Sequence, residues 1–368
     1  MKKMSIKRHI IPIFVPHTGC PHDCVFCNQK KITGSSTNIT DKEVYRIIND
    51  YIRTIPKTNE SLEVAFYGGS FTGIDIETQA NLLDVAYSFK KQGYIDKIRL
   101  STRPDYINKD ILSNLKMYSV DTIELGVQSM DAYVLEQSFR GHSPKDVVDA
   151  AKLIKNFGFE LGLQMMIGLP GDDKYKDLYT ANKIIQLQPD FVRIYPTLVI
   201  KETFLAKQYL SGAYKALSLE NAVSICTELL LLFNYYSINV IRIGLQPTDN
   251  IAMNKDILAG PFHSSFRQLV ESNVYKIILN IFFMEKSISS NEISIILNRK
   301  EISNFVGQKS ENLEYIKRVY GIPKIKVIGQ DISSDCFYIS FDDNRFKIEK
   351  KAYVSKYLKD RELLKGFH

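Results

Sequence analysis

Three cysteines, Cys20, Cys24 and Cys27 in GCPHDCVFCNQ, crowd into one short stretch of a 368-residue chain that has five cysteines in all. Thiolates at that density hold metal, and an iron–sulfur cubane ordinarily takes four of them. A set of three leaves one iron without a protein ligand, and a reaction can begin at that iron. The same spacing could mark a buried helix face. Gly19 and Pro21 flank the first cysteine, however, and polar His22 and Asp23 follow it, which suits a core helix poorly. Zinc is the stronger rival, with His17 or His22 completing a tetrahedron. It accounts for none of the motifs further along. Cys226 and Cys336 stand alone, so the expectation is a reduced, cytoplasmic setting without a disulfide framework.

The elements that must position these thiols are legible as alternating patterns up to about residue 245. Short apolar, β-rich runs predict strands over 11–16, 62–69, 97–102, 122–128, 160–168, 190–196 and 238–244. Amphipathic stretches predict helices around 41–54, 75–91, 108–117, 143–157, 173–187 and 218–236. Such alternation implies parallel β/α units, and six or seven of them suit a complete or partial β/α barrel. Functional groups in such barrels sit on the loops after the C-terminal strand ends. The cysteines follow the first strand and Gly68-Gly69-Ser70 ends the second; Ser101-Thr102-Arg103-Pro104 ends the third and Gln128-Ser129 the fourth. Gly168-Leu169-Pro170-Gly171-Asp172 ends the fifth strand and Tyr195-Pro196 the sixth, so separate loops converge on one face.

Composition narrows the class. Hydrophobic residues make up 45%, ordinary for a folded globular chain. No apolar run approaches the roughly 18 residues of a membrane span, so no membrane partner is expected. Pro12 and Pro16 interrupt the basic-then-apolar beginning, which does not read as a signal peptide. The formal charge of +7 favours phosphate-rich partners without choosing among them. The pattern changes after Gln246-Pro247. The expected organisation is a core over 1–250, a connecting loop and helix over 251–272, and an α+β domain over 273–368. Strands in that last domain are expected near 274–283, 293–298, 324–329 and 336–342.

C-x3-C-x2-C with an aromatic residue before the last cysteine resembles the radical S-adenosylmethionine (SAM) enzymes. The resemblance implies an α/β fold, a partial (β/α)6-type barrel, with a [4Fe–4S] cluster on Cys20, Cys24 and Cys27. The fourth iron would chelate the amino and carboxylate groups of S-adenosylmethionine. One electron then cleaves its carbon–sulfur bond, leaving a 5′-deoxyadenosyl radical that abstracts hydrogen from a substrate. Gly68, Gly69 and Ser70 match the family's glycine-glycine motif, which contacts the methionyl amino group; the usual third residue is Glu, and Ser brings no charge. Ser101, Gln128 and Arg140 fall where further cofactor contacts are implied. A guanidinium at Arg140 can pair bidentately with the methionyl carboxylate, the alternative being a solvated arginine at a helix end. Met165 in LQMMIGLPG is placed either against adenine or in the core. No catalytic residue beyond the cofactor ligands is implied, and an electron donor such as flavodoxin or ferredoxin is.

Longer stretches, ELGVQSMDAYVLEQSFRGHS, YPTLVIKETFLAKQYLSGAY and IRIGLQPTD, resemble bacterial relatives of the catalytic subunit of Elongator over about residues 9–250. That family modifies the wobble uridine of tRNA using a carboxymethyl precursor from acetyl-CoA. The length and glycine pattern here match no acetyltransferase-like domain, so the radical core carries over and the particular reaction does not. In the last domain, a strand–helix–turn–helix–strand pattern with Gly307-Gln308-Lys309-Ser310 between the helices resembles a KH domain, whose G-x-x-G loop clamps nucleic-acid backbone. The alternative is an accessory α+β domain in which Ser310 and Glu311 cap a helix. Together these readings point to RNA, and to tRNA in particular, as substrate. Two other functions stay open. FELGLQMMIGLPGD and GVQSMD also resemble the oxygen-independent coproporphyrinogen oxidases, which act on a small porphyrin precursor. A non-catalytic RNA-binding protein with a structural or redox-sensing metal site is the other.

Overall fold

The computed structural model describes residues 8–15, 24–27, 39–55, 61–245, 256–286 and 290–364. Strand and helix alternate as the patterning predicts: β1 (Arg8–Val15), α1 (Asp41–Thr54), β2 (Ser61–Gly68), α2 (Ile76–Lys91), β3 (Lys97–Thr102), α3 (Lys109–Met117), β4 (Thr122–Gln128). There follow α4 (Ala132–Gln137), α5 (Pro144–Asn156), β5 (Glu160–Ile167), α6 (Lys174–Leu187), β6 (Phe191–Pro196), the two-residue β7 (Val199–Ile200), α7 (Phe204–Leu210), α8 (Leu219–Tyr235), β8 (Asn239–Ile243) and β9 (Ile257–Ala259). The last stretch is α9 (Phe266–Glu285), β10 (Glu292–Asn298), α10 (Ile302–Val306), α11 (Glu311–Tyr320), β11 (Lys324–Gln330), β12 (Cys336–Phe341), β13 (Asn344–Glu349) and α12 (Lys350–Asp360). Two compact units result, residues 1–216 with 245–260 and residues 217–244 with 261–368.

The sheet order β1-β2-β3-β4-β5-β6-β8 follows the chain, and the pairings from β1 to β6 are all parallel. This is the expected α/β partial barrel, with β1 and β8 as its edges. Aspartates before the strands set the stagger. Asp96 accepts from the Leu62 amide (2.7 Å), Asp121 from Ile98 (2.8 Å) and Asp190 from Leu161 (2.7 Å), each reaching back to the preceding strand. Capping follows the local sequence: Thr40 and Ser143 form capping boxes with Glu43 and Asp146.

The concave face carries a buried ionic floor. Arg99 bridges Glu63 (2.6 Å) and Glu124 (2.9 Å), and Glu124 also holds Arg193 at 2.6 Å. The Tyr67 hydroxyl accepts from Arg193 at 3.0 Å, and burial followed by the Glu124 charge pushes its pKa up to about 12. Gly162 leaves room for this layer, since a Cβ there would come within 2.4 Å of the Phe191 ring and 3.0 Å of Glu124 Cγ.

In the second unit a four-stranded sheet runs in the order β11-β10-β12-β13, with β10 parallel to β11 and the other pairings antiparallel. Its core joins Tyr275, Ile278, Leu279, Phe282 and Phe283 to Ile293, Ile295, Leu297, Phe337 and Ile339. Residues 274–283, expected as a strand, belong instead to the 20-residue helix α9. The run VYKIILNIFF is apolar enough for either, but Tyr275, Ile278, Leu279, Phe282 and Phe283 recur on one helical face, and no Gly or Pro interrupts 266–285. The segment β13–α12 was not foreseen.

The expected strand–helix–turn–helix–strand order does form across β10, α10, α11 and β11. Ser310 takes φ 61° at the start of α11, and its side chain makes no capping bond. Asn312 ties the two helices to α9, its Nδ2 donating to Ser272 O (3.0 Å) and Phe305 O (2.9 Å). Gly307 takes φ 79°, and a Cβ there would lie 2.8 Å from Ser272 Oγ.

Removing one member of a buried ionic cluster strands the others, typically costing ~3–5 kcal/mol. Arg99→Met is therefore expected to lower the urea midpoint sharply, and Arg99→Met combined with Glu63→Gln to recover part of the loss. Equilibrium unfolding of the two variants beside wild type measures this.

Candidate active site

The strand ends bring Cys24, Gly126, Gln128 and Arg140 together. At the end of β4, Gly126 pairs with Gln164 and Gln128 with Met165, so the register slips by one residue at Val127 and Gln128 adopts φ 65°. Arg140 follows α4 through a turn in which its amide bonds Leu135 O (3.0 Å). Its guanidinium is buried, 6% exposed, rather than solvated at a helix end. Nη2 donates to Gly126 O at 2.8 Å, and Nη1 points at Cys24 Sγ at 3.1 Å. Nε has no partner among the described residues. The Arg140 carbonyl accepts from Arg103, whose guanidinium also grips Asp105 at 2.9–3.0 Å.

The tip of the cysteine loop is anchored by backbone and by an apolar plug. The Cys27 amide donates to Cys24 O (2.9 Å), the Val25 amide to Ser138 O (3.2 Å), and the Leu205 amide to Val25 O (2.7 Å). Val25 is fully buried with Val199, Leu205, Ala206 and Tyr214, and Phe26 packs against the same cluster. Cys20, His17 and His22 lie outside the described residues.

The other expected positions fall nearby with different surroundings. Gly68 closes β2 at φ 107°, and the Gly69 amide donates to Val15 O at 3.1 Å, tying together the ends of β1 and β2. Ser70 is buried and Ser101 half-buried. Gln164 donates to Gln128 Oε1 at 3.4 Å. Met165 does not join this group: strand alternation sends it, with Leu161, Leu163 and Ile167, to the face opposite Gln164 and Met166, where it is fully buried. The polar Gln164 inside an apolar run was the signal that its own face, shared with Met166, lines the mouth.

Several contributors escaped the sequence reading. Thr72, in the turn after β2, and Thr102, at the end of β3, join their hydroxyls at 2.5 Å. His142 bonds Val127 O through Nε2 at 3.2 Å; burial, then Arg140 and Arg103, depress its pKa to about 3, so it is neutral with the proton on Nε2. Gly126 is closely packed by two of the site's side chains. A Cβ there would lie 3.0 Å from Gln128 Nε2 and 3.4 Å from Arg140 Nη2.

The loop after the fifth strand and the first turn of α6 carry a carboxylate pair, half-buried Asp172 and buried Asp177. Asp172 accepts from the Gly168 amide (3.0 Å) and the Asp173 amide (2.9 Å). Burial raises the Asp172 pKa to about 6, and burial plus the Asp172 charge raises Asp177 well above the ordinary range. Burial thus disfavours ionisation of both carboxyls together. The Tyr214 hydroxyl donates to Gly168 O at 2.6 Å, joining this loop to the apolar plug of the cysteine loop.

The Cys24 thiol beside a buried guanidinium whose Nε has no partner among the described residues fits a thiolate-held metal centre and an anionic ligand next to it. Comparison with known proteins agrees. The sequence model of the Radical SAM superfamily matches residues 14–179, and that of the Radical_SAM C-terminal domain matches residues 189–276. This chain belongs to the radical SAM superfamily and is a radical SAM enzyme. It is 30% identical over 241 residues to an uncharacterized protein of Methanocaldococcus jannaschii, covering 62% of this chain and 73% of that one. It is 27% identical over 256 residues to the tRNA uridine(34) acetyltransferase of the same organism, covering 59% of this chain and 47% of the relative. Against human Elongator complex protein 3 the identity is 34% over 151 residues, 40% of this chain and 28% of the relative. The chain thus spans about half or less of these two named relatives. The archaeal Methanocaldococcus infernus Elp3 with an N-terminal deletion shares the fold, with a TM-score of 0.57 at 20% identity over 91% of this chain and 74% of that one. Membership implies S-adenosylmethionine and an iron–sulfur cluster as cofactors.

Two outcomes follow. Cys24→Ala is expected to lose the iron and the visible absorbance of the reconstituted protein; a variant that keeps full iron would refute the ligand assignment. The Asp172 pKa is raised, so its contribution is complete at low pH and is lost as pH rises through about 6. Asp177→Asn keeps the neutral partner at every pH. Urea midpoints at pH 5 and pH 8 should fall less with rising pH in the variant than in wild type.

Proposed function

We propose that this protein is a cytoplasmic radical SAM enzyme that modifies RNA, most specifically tRNA, using a [4Fe–4S] cluster on Cys20, Cys24 and Cys27. The observation that carries the cofactor part of the reading is the Arg140 guanidinium set between Cys24 Sγ and Gly126 O. When bound, the cluster and S-adenosylmethionine supply one-electron chemistry that removes a hydrogen atom from a substrate. The chain's own residues hold and shield that chemistry. Arg140 fixes Cys24 and keeps its Nε for an anionic group such as a carboxylate. Gln128 offers an amide at the strand end, oriented by Gln164. Gly68 and Gly69 let backbone approach the ligand without an intervening side chain, and Ser70 and Ser101 flank them with hydroxyls. Val25 and its apolar neighbours close the loop against water. A reducing protein such as flavodoxin or ferredoxin supplies the electron.

The RNA part rests on the names of the relatives, which include a tRNA uridine(34) acetyltransferase, and on the basic balance of the chain. Phosphate contacts make the affinity fall with salt, with a log–log slope of about −0.7 for each phosphate of a single strand. The test is anaerobic: reconstituted protein with dithionite and S-adenosylmethionine, with and without bulk tRNA. Release of 5′-deoxyadenosine, stimulated by tRNA, is the expected result. No 5′-deoxyadenosine under either condition sinks the enzyme reading. Nucleoside mass spectrometry of RNA from wild-type and deletion cells checks the substrate: unchanged nucleosides beside an accumulating porphyrin precursor would move it to a small molecule.

A further inference from the structure

Among the described residues, helices cover one face of the four-stranded sheet of the second unit and leave the other open. Every helix residue in its core, from Tyr275 and Phe282 on α9 to Phe305 and Ile316 on the short helices, meets the face formed by Ile293, Ile295, Leu297, Phe337, Ile339 and Ile348. Strand alternation turns the intervening residues the other way, and those are half-buried or exposed.

The pairing registers arrange these outward residues in rows across all four strands. One row is Lys326, Ser294, Ser340 and Arg345. The next is Ile328, Ile296, Tyr338 and Lys347. Three cations lie in these two rows with no carboxylate among them. Acidic side chains stand at the margins, where Glu292 pairs in register with Lys324 and Glu349 reaches Lys347 at 2.7 Å. The Arg345 guanidinium lies over the Tyr338 ring, 4.3 Å from its centroid. A planar cation so placed holds the ring flat and adds a second surface on which a base can stack. Hydroxyls from Ser294 and Ser340 sit beside the ring's row, and Ile296 and Ile328 give it an apolar floor.

We infer that this open sheet face is a docking platform for single-stranded RNA, with Tyr338 and Arg345 stacking bases and Lys326 and Lys347 holding phosphates. The inference rests on the RNA reading of function and names the surface that serves it. Charge and chemistry decide the occupant. A protein partner would need apolar area that two isoleucines do not provide. A strand of RNA needs a flat ring, cations spaced along a groove and a width of a few bases. Four strands spaced at about 4.8 Å span roughly 14 Å, enough for two or three splayed bases. The Gly307–Ser310 loop is a separate feature, since Gly307 and Asn312 are packed against Ser272 on the helix side of the sheet.

The experiment uses the full-length protein and fluorescence anisotropy with two probes, a labelled 15-nucleotide oligouridylate and bulk tRNA. Tyr338→Ala is expected to weaken oligouridylate binding about tenfold, and Tyr338→Phe to keep it, because the stacking ring remains. Lys326→Glu with Arg345→Glu should weaken both probes and flatten the salt dependence. Lys309→Glu, on the loop, should bind as wild type does. Lys309, Lys326 and Arg345 are exposed and Tyr338 is half-buried, and unchanged melting temperature and iron content confirm that the variants fold. Wild-type affinity in the sheet variants, with binding lost in Lys309→Glu, overturns the platform and leaves the RNA reading standing. Wild-type affinity in every variant overturns the platform as well. Failure of the wild-type protein to bind either probe at low salt removes the RNA reading itself.

Discussion

The site depends on one guanidinium. Arg140 joins three segments that are remote in sequence: the cysteine loop through Cys24 Sγ, the β4 strand end through Gly126 O, and the β3 strand end through Arg103, which donates to the Arg140 carbonyl. A buried arginine is costly unless its donors are used, and its fixed fork geometry gives each donor a direction. Placing that fork requires the slip in β4 at Val127, the glycine at 126 and the left-handed turn at Phe139. His142, neutral and bonded to the Val127 carbonyl, braces the slipped residue without adding a competing charge.

Beneath this layer lies a second ionic cluster with a different character. Glu63, Arg99, Glu124 and Arg193 are buried and mutually paired, and they occupy the third position of β2, β3, β4 and β6. Such a cluster contributes little net stability compared with an apolar layer but penalises strand registers that separate its members. With the aspartates that staple each strand to its predecessor, it fixes the stagger of the barrel and therefore the heights at which the strand ends present their side chains.

Much of this was legible in the chain. All seven strands of the first sheet were readable, because apolar runs of five to eight residues alternated with amphipathic helices bounded by Gly, Asn and Asp. That Gly68-Gly69 and Gln128 close their strands at the same end of the parallel sheet followed from the alternation of strands and helices, whereas Arg140 was brought in by the family resemblance. Reading by residue type failed where two elements share a composition. The run at 274–283 satisfied a strand pattern locally, and only its tertiary partners, on the face that repeats every three to four residues, identify the helix. At 165 and 166 two methionines differ only in parity, which the sequence shows once Gln164 is known to face the mouth. Gly126 and Thr72 carry no signal of their own, since a glycine within a strand and a threonine after one are common for other reasons. The open face of the second sheet was hidden because β13, which supplies Arg345 and Lys347, was not recognised.

The valine between two of the cysteines has a thermodynamic consequence. Its amide and carbonyl are both engaged by the surrounding fold, and its side chain is buried in an apolar cluster with Val199, Leu205 and Tyr214. The backbone between Cys24 and Cys27 is therefore held by protein contacts, with the Cys27 amide donating to Cys24 O at 2.9 Å. In small metal-binding domains, capture of the metal and ordering of its ligands are one event, and binding energy is drawn down by the entropy of fixing the loop. Here that entropy loss at Val25 belongs to chain collapse. The share of ordering that metal capture must cover is correspondingly smaller at this residue.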